Sequence, residues 1–181
     1  MSFGGWSISE ICFNYIREIL PDGSTILEFG SGFSTEQLSK YYTMYSVENY
    51  QEWVGKYDAT YIYAPIREYE IGGSDIFGDA DFWTAPEDIP GEQTAAQVGW
   101  YDPDIVKKNL PDKYDLILVD GPNGTFGRAG FYKHLEWFNT DIPIIIDDTH
   151  RDAERIMMEK ISKSVGREYK ILSDDVTGVI E

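Results

Sequence analysis

The chain has 181 residues, 42% hydrophobic and 15% aromatic, enough for one domain with a sizeable core and too apolar for a disordered chain. It carries 32 acidic against 15 basic residues, a formal net charge of −17, and a surface of that sign repels nucleic-acid backbones and anionic lipid. No apolar run approaches the roughly 20 residues of a membrane span, the first residues lack the basic and apolar stretches of a signal peptide, and Cys12, the one cysteine, excludes an internal disulfide, so a cytoplasmic protein is expected.

The first predicted element is a helix over Ser7 to Leu20, where Ile8, Ile11, Cys12, Tyr15, Ile16, Ile19 and Leu20 recur at helical spacing. Ser7 and Glu10 suit a capping box, and Pro21-Asp22-Gly23 ends this N-terminal unit of residues 1–23. Strand and helix then alternate. Thr25 to Phe29 reads as a strand, followed by a glycine loop and a helix near Ser34, with Ser34 and Gln37 as capping pair. Met44 to Glu48 is the second strand, Tyr50 to Lys56 a short helix, and Ala59 to Ala64 the third strand. Residues 67–110 break the rhythm with five glycines and with aromatics that include Phe77, Phe82, Trp83, Trp100 and Tyr101. A segment of that length reads as an inserted loop or lid, with Asp102-Pro103 starting a short helix inside it.

Tyr114 to Val119 and Ile142 to Ile146 are nearly continuous apolar runs, as parallel strands covered on both faces require. Arg128 to Phe138 reads as the helix between them. A longer helix over Thr149 to Val165, opened by a Thr149–Asp152 capping pair, closes at Gly166. Tyr169 to Leu172 and Val176 to Ile180 read as a hairpin. The whole, residues 1–181, is predicted as one α/β domain, doubly wound, with a mostly parallel sheet and a C-terminal antiparallel hairpin.

The stretch Glu28-Phe29-Gly30-Ser31-Gly32-Phe33-Ser34-Thr35 carries the cofactor signal. A strand runs into a turn whose glycines permit close ligand approach, and the turn opens a helix. Glu48 ends the next strand, about 20 residues after Glu28, where a carboxylate can accept from ribose hydroxyls. A dinucleotide fingerprint needs a third glycine or alanine where this chain has Thr35, and no Tyr-x-x-x-Lys pair of a short-chain dehydrogenase is present. S-adenosylmethionine (SAM) has no pyrophosphate and carries a cationic sulfonium, which an acidic residue such as Glu28 suits. Glu28-Phe29-Gly30-Ser31-Gly32, Glu48 and Tyr114-Asp115-Leu116-Ile117-Leu118-Val119-Asp120-Gly121-Pro122 together resemble the first motif, the ribose acid and the fourth-strand motif of class I SAM-dependent methyltransferases. The resemblance implies a Rossmann-like, seven-stranded sheet ordered 3-2-1-4-5-7-6. It implies SAM held by Glu28, Gly30, Ser31, Gly32, Ser34, Glu48 and Asp120. It also implies a leader, Gly4-Gly5-Trp6, that folds over the cofactor.

Asp120 follows the fourth main strand, and Asp147-Asp148 the fifth, at adjoining ends of a parallel sheet. Three carboxylates there suit a hard cation such as Mg²⁺, as in the similar metal-dependent small-molecule O-methyltransferases, or they serve as helix caps and acceptor-site groups. Asp120, Asp148 and His150 are the candidates for taking the acceptor's proton. His134 and Cys12 read as structural. The expected activity is methyl transfer from SAM to an oxygen or nitrogen of a small-molecule acceptor, with no nucleic acid or membrane as partner. A non-catalytic SAM-fold binding module and a nicotinamide-dependent oxidoreductase are the alternatives.

Overall fold

A computed structural model describes residues 7–68, 99–124 and 126–181. Its main sheet has seven strands. The parallel part comprises β1 (Thr25–Phe29), β2 (Thr43–Glu48), β3 (Thr60–Tyr63), β6 (Leu116–Val119) and β7 (Ile144–Ile146). The hairpin strands β8 (Tyr169–Ile171) and β9 (Gly178–Ile180) complete it, with β9 antiparallel to β7. The order is β3-β2-β1-β6-β7-β9-β8, which matches the expected 3-2-1-4-5-7-6 once the two strands β4 (Ile66–Glu68) and β5 (Gly99–Tyr101) are set apart. Those two form a separate antiparallel pair. They flank the predicted lid, most of which, residues 69–98, lies outside the described residues, as do Gly4, Gly5 and Trp6.

The apolar strands are continuous because each face has its own cover. Along β6, Leu116 and Leu118 face a core with Ile8, Cys12 and Ile16 of the N-terminal segment. Ile117 and Val119 face the opposite core, with Phe29, Trp100, Tyr101, Phe131 and Met158. Each such side chain fully buried contributes about 1.5–3 kcal/mol. Cys12 is buried in the first core, which agrees with its structural reading.

Helix starts depart from the predicted caps, at Ser34 and Thr149 because a tertiary partner claims the capping side chain. Helix α1 (Glu10–Ile19) starts after Ser9, whose Oγ accepts from Cys12 N, so Ser7 is not the cap. Helix α2 (Phe33–Leu38) has Gly32 as its N-cap; Ser34 Oγ instead accepts from Ile8 N at 2.9 Å and ties the N-terminal segment to this turn. Helix α3 (Pro103–Asn109) is capped as expected by Asp102, which accepts from the N–H groups of Asp104 and Ile105. The predicted helix over 128–138 is shorter: α4 (Ala129–Lys133) gives way to one 3-10 turn at Leu135–Trp137. The break at His134 lets its ring stack on Trp137 at 3.9 Å and lie near Trp100. Burial there pushes the His134 pKa down to about 4, as a structural, neutral imidazole requires.

Helix α5 (Asp152–Val165) begins three residues later than predicted, because Thr149 bonds to the Val176 carbonyl instead of capping. Gly166 closes it with φ +67, the left-handed cap that glycine favours. Tyr50 to Lys56 is not a helix. Glu48 Oε1 captures the N–H groups of Asn49 and Tyr50, and the residues beyond form a run of three-residue-step turns ending at Lys56, with Gly55 at φ +79 inside the last of them.

Candidate functional site

Strand register sets the site. Phe29 pairs with Val47 and with Val119, and Val119 pairs with Ile146. One residue further on each strand come Gly30, Glu48, Asp120 and Asp147, so the candidate residues stand in one row along the carboxyl edge of the sheet. That edge is where open parallel sheets bind ligands. A cavity of about 580 Å³ opens above it, a size usual for small-molecule and cofactor sites. Gly30, Ser31, Gly32 and Glu48 line one end, and Asp120, Asp147, Asp148, Arg128 and Arg151 the other.

Glycine is required where the first and fourth loops cross. Gly30 has φ +89, and a Cβ on it would stand 3.0 Å from the Gly121 backbone. A Cβ on Gly121 would overlap the Tyr101 hydroxyl. The loop N–H groups are already spent. Gly30 N donates to Val47 O, Ser31 N to Glu48 Oε2, and Gly32 N to Thr35 Oγ1. A pyrophosphate would find none of these donors free, whereas a ligand that presents hydroxyls and cationic groups needs acceptors instead. Glu48 is such an acceptor. Three backbone N–H groups, from Ser31, Asn49 and Tyr50, use three of its lone-pair positions, and the second one on Oε2 remains. Burial holds its pKa above the usual carboxylate range despite those donors.

Two predicted cofactor residues stand behind the cavity wall. Glu28 is buried and does not line it; its Oε2 accepts from Thr35 Oγ1 at 2.8 Å and Ser46 Oγ at 2.6 Å. Burial pushes its pKa up to about 7, and those two hydroxyls only partly offset this. Glu28 therefore braces the loop from below. Ser34 anchors Ile8, as described, and is also absent from the lining.

The three aspartates do meet. Asp120, Asp147 and Asp148 each offer an oxygen within 4.8 Å of the others. None of them caps α5, whose N-cap is Arg151. Between them lies Arg128, only 3% exposed. Its Nη1 donates to Asp147 O at 2.7 Å, and its Nη2 to Asp120 O at 2.6 Å and Asp148 Oδ2 at 2.7 Å. Arg151 adds a second cation, 2.9 Å from the same Asp148 oxygen. Asp148 holds φ +62, an uncommon conformation that turns its carboxylate toward both guanidiniums.

The cations do not fully relieve the cluster. Burial and then Asp147 keep the Asp120 carboxyl well above its ordinary pKa. Burial and then Asp148 push Asp147 up to about 6. Burial acts to lower the Arg128 pKa, but Asp120, Asp148 and Glu154 outweigh it and leave it raised. His150 is outside the lining, half-exposed, with Nδ1 4.0 Å from Asp148 Oδ1.

Sequence reasoning missed both arginines and Tyr101. A signal for the arginines existed. Each stands at a helix N-cap, Arg128 on α4 and Arg151 on α5, where the helix dipole disfavours a cation. A cation in that place points to an anionic partner elsewhere in the fold.

The fold is that of the class I SAM-dependent methyltransferases. Among solved structures the chain is similar to precorrin-8w decarboxylase from Methanobacterium thermoautotrophicum, at 13% identity and a TM-score of 0.52, over 98% of this chain and 91% of that one. It is also similar to fibrillarin from Aeropyrum pernix, solved with natively bound SAM, at 14% identity and a TM-score of 0.51, over 96% of this chain and 73% of that one. No protein-family model and no curated protein sequence matches the chain. Among the described residues no helix is long and apolar enough to cross a membrane.

Proposed function

We propose that this protein is a SAM-dependent methyltransferase acting on an oxygen or nitrogen of a small-molecule acceptor. The observation that carries the reading is the strand-end row: a glycine crossing with its N–H groups spent, Glu48 with an acceptor position left, and an acid cluster at the far end. The fibrillarin of the same fold carries SAM, which supports the same ligand here. Spent loop donors argue against a nicotinamide dinucleotide.

When bound, SAM supplies an electrophilic methyl carbon on a cationic sulfur. Glu48 accepts from a ribose hydroxyl, and the Gly30–Gly121 crossing holds the first and fourth loops together at the cavity. Asp120, which lines the cavity and has a raised proton affinity, takes the proton that the acceptor loses as it bonds to the methyl carbon. His150 stands outside the lining and is not given that role. Water exclusion and alignment carry the rest of the rate.

S-adenosylhomocysteine is expected to bind and to raise the melting temperature. Glu48→Ala is expected to weaken that binding by about 1–3 kcal/mol, the cost of a charge-assisted hydrogen bond. It should also lower the melting temperature without ligand, since three N–H groups lose their acceptor. Calorimetry in which NAD binds and SAM analogues do not would overturn the assignment.

Mg²⁺ fits the acid cluster on one specific ground. Asp147 Oδ1 is buried with no hydrogen-bond donor among the described residues, beside two further carboxylates. Asp120, Asp147 and Asp148 would hold the ion, which would polarise the acceptor oxygen and ease loss of its proton in place of a free Asp120 carboxylate. Arg128 and Arg151 already share Asp148, so a proton on the cluster is the competing source of relief. With the ion in place, methyl transfer falls on addition of EDTA and returns with excess Mg²⁺, and Asp147→Asn weakens metal binding while sparing SAM. Full turnover in excess EDTA would remove the metal from the mechanism.

A further inference from the structure

Tyr101 closes β5 and is fully buried, yet its hydroxyl has no hydrogen-bond partner among the described residues. Leaving a buried phenol oxygen unpaired costs about 1–3 kcal/mol, so such a group calls for an explanation. The ring is fixed from below by Phe29, at 6.0 Å between centroids, and from the side by Trp100, at 5.7 Å. That packing sets the hydroxyl against Gly121, at the seam where the Gly121 backbone touches Gly30. Tyr101, Gly30, Gly121 and Asp120 all line the cavity.

The charge around this oxygen selects its partner. Glu48, Glu52, Asp120, Asp147 and Asp148 line the cavity against Arg128 and Arg151 only. A cationic group is favoured there, and a phenol oxygen can accept from one. We infer that Tyr101 is a cofactor-binding residue whose phenol oxygen receives the cationic amino-acid end of SAM, an inference that rests on the methyltransferase reading above. That end carries two cationic groups, the α-ammonium and the methyl-bearing sulfonium. Glycine at 121 makes room for this hydroxyl, since a Cβ there would overlap it.

The test is Tyr101→Phe, which keeps the ring and removes the oxygen. The ligand-free variant is expected to melt at or above the wild-type temperature, because an unpaired buried hydroxyl has been removed. Its calorimetric affinity for SAM is expected to fall about tenfold, the effect of losing one charge-assisted bond. An equal fall for S-adenosylhomocysteine assigns the contact to the ammonium, and a fall for SAM alone assigns it to the sulfonium methyl. SAM and S-adenosylhomocysteine affinities both within about twofold of wild type would overturn the inference, as would a ligand-free melting temperature lowered by more than about 4 °C, the mark of a lost structural bond. Wild-type protein that binds neither ligand would instead overturn the methyltransferase reading, and this inference with it.

Discussion

Replacing Arg128 by methionine is expected to lower the unfolding free energy by about 3–5 kcal/mol at pH 8, the penalty for leaving buried carboxylates without their cation. Arg128 ties the ends of β6 and β7 together through the Asp120 and Asp147 carbonyls and the Asp148 carboxylate. Methionine fills much of the volume but leaves those acceptors bare. The loss should shrink at pH 5, because Asp120 and Asp147 have raised proton affinities and protonation removes the charge that Arg128 had balanced. Lysine should rescue little, since one ammonium does not reproduce a planar fork that reaches three acceptors. Urea titrations at the two pH values measure this. A loss below about 1 kcal/mol at pH 8, the level of an exposed pair, would mean that Arg128 does not hold the strand ends.

The second large effect has the opposite sign. Glu28→Gln is expected to stabilise the protein at pH 8 by about 3 kcal/mol, since one pKa unit is worth about 1.4 kcal/mol. The folded pKa of Glu28 is about 7 against an ordinary 4.5. Between those values the folded state binds more protons than the unfolded one. Wild-type stability from this group therefore falls as pH rises from about 4.5 to 7, and Asp147, held at about 6, adds to the same slope. Glutamine keeps an oxygen for Thr35 and Ser46 and has no charge to bury. The two proteins should converge below pH 4.5 and separate above it. S-adenosylhomocysteine affinity should change less than in Glu48→Ala, because Glu28 lies behind the wall. A variant less stable than wild type at pH 8 would contradict this account.

The strands and their order were legible because parallel strands under two helical layers must be apolar on both faces, and Leu116–Val119 and Ile144–Ile146 are. The row of Gly30, Glu48, Asp120 and Asp147 followed from the same topology. Helix starts were less legible. Ser34 and Thr149 carry the right chemistry for caps, but distant backbone groups at Ile8 and Val176 claim their hydroxyls. Glu28 read as a ligand residue from its place in the motif, while its direction depends on Thr35 and Ser46, which no local pattern ties to it. The arginines gave only the faint signal of a cation at a helix start, for a related reason. A single cation in a helical stretch looks like surface until the carboxylates it meets, on other strands, are brought to it.

The β4–β5 ladder bears on how this protein can change over evolution. Glu68 lies opposite Gly99, and the pairing continues through Arg67–Trp100 to Ile66–Tyr101. Glu68 and Gly99, the described residues on either side of that stretch, are thus held side by side as two fixed roots. The core registers the position of those roots and not the length of chain between them, and doubling such a length costs only about 0.6 kcal/mol in closure entropy. Insertions, deletions and wholesale exchange can accumulate there while Tyr101 stays in register.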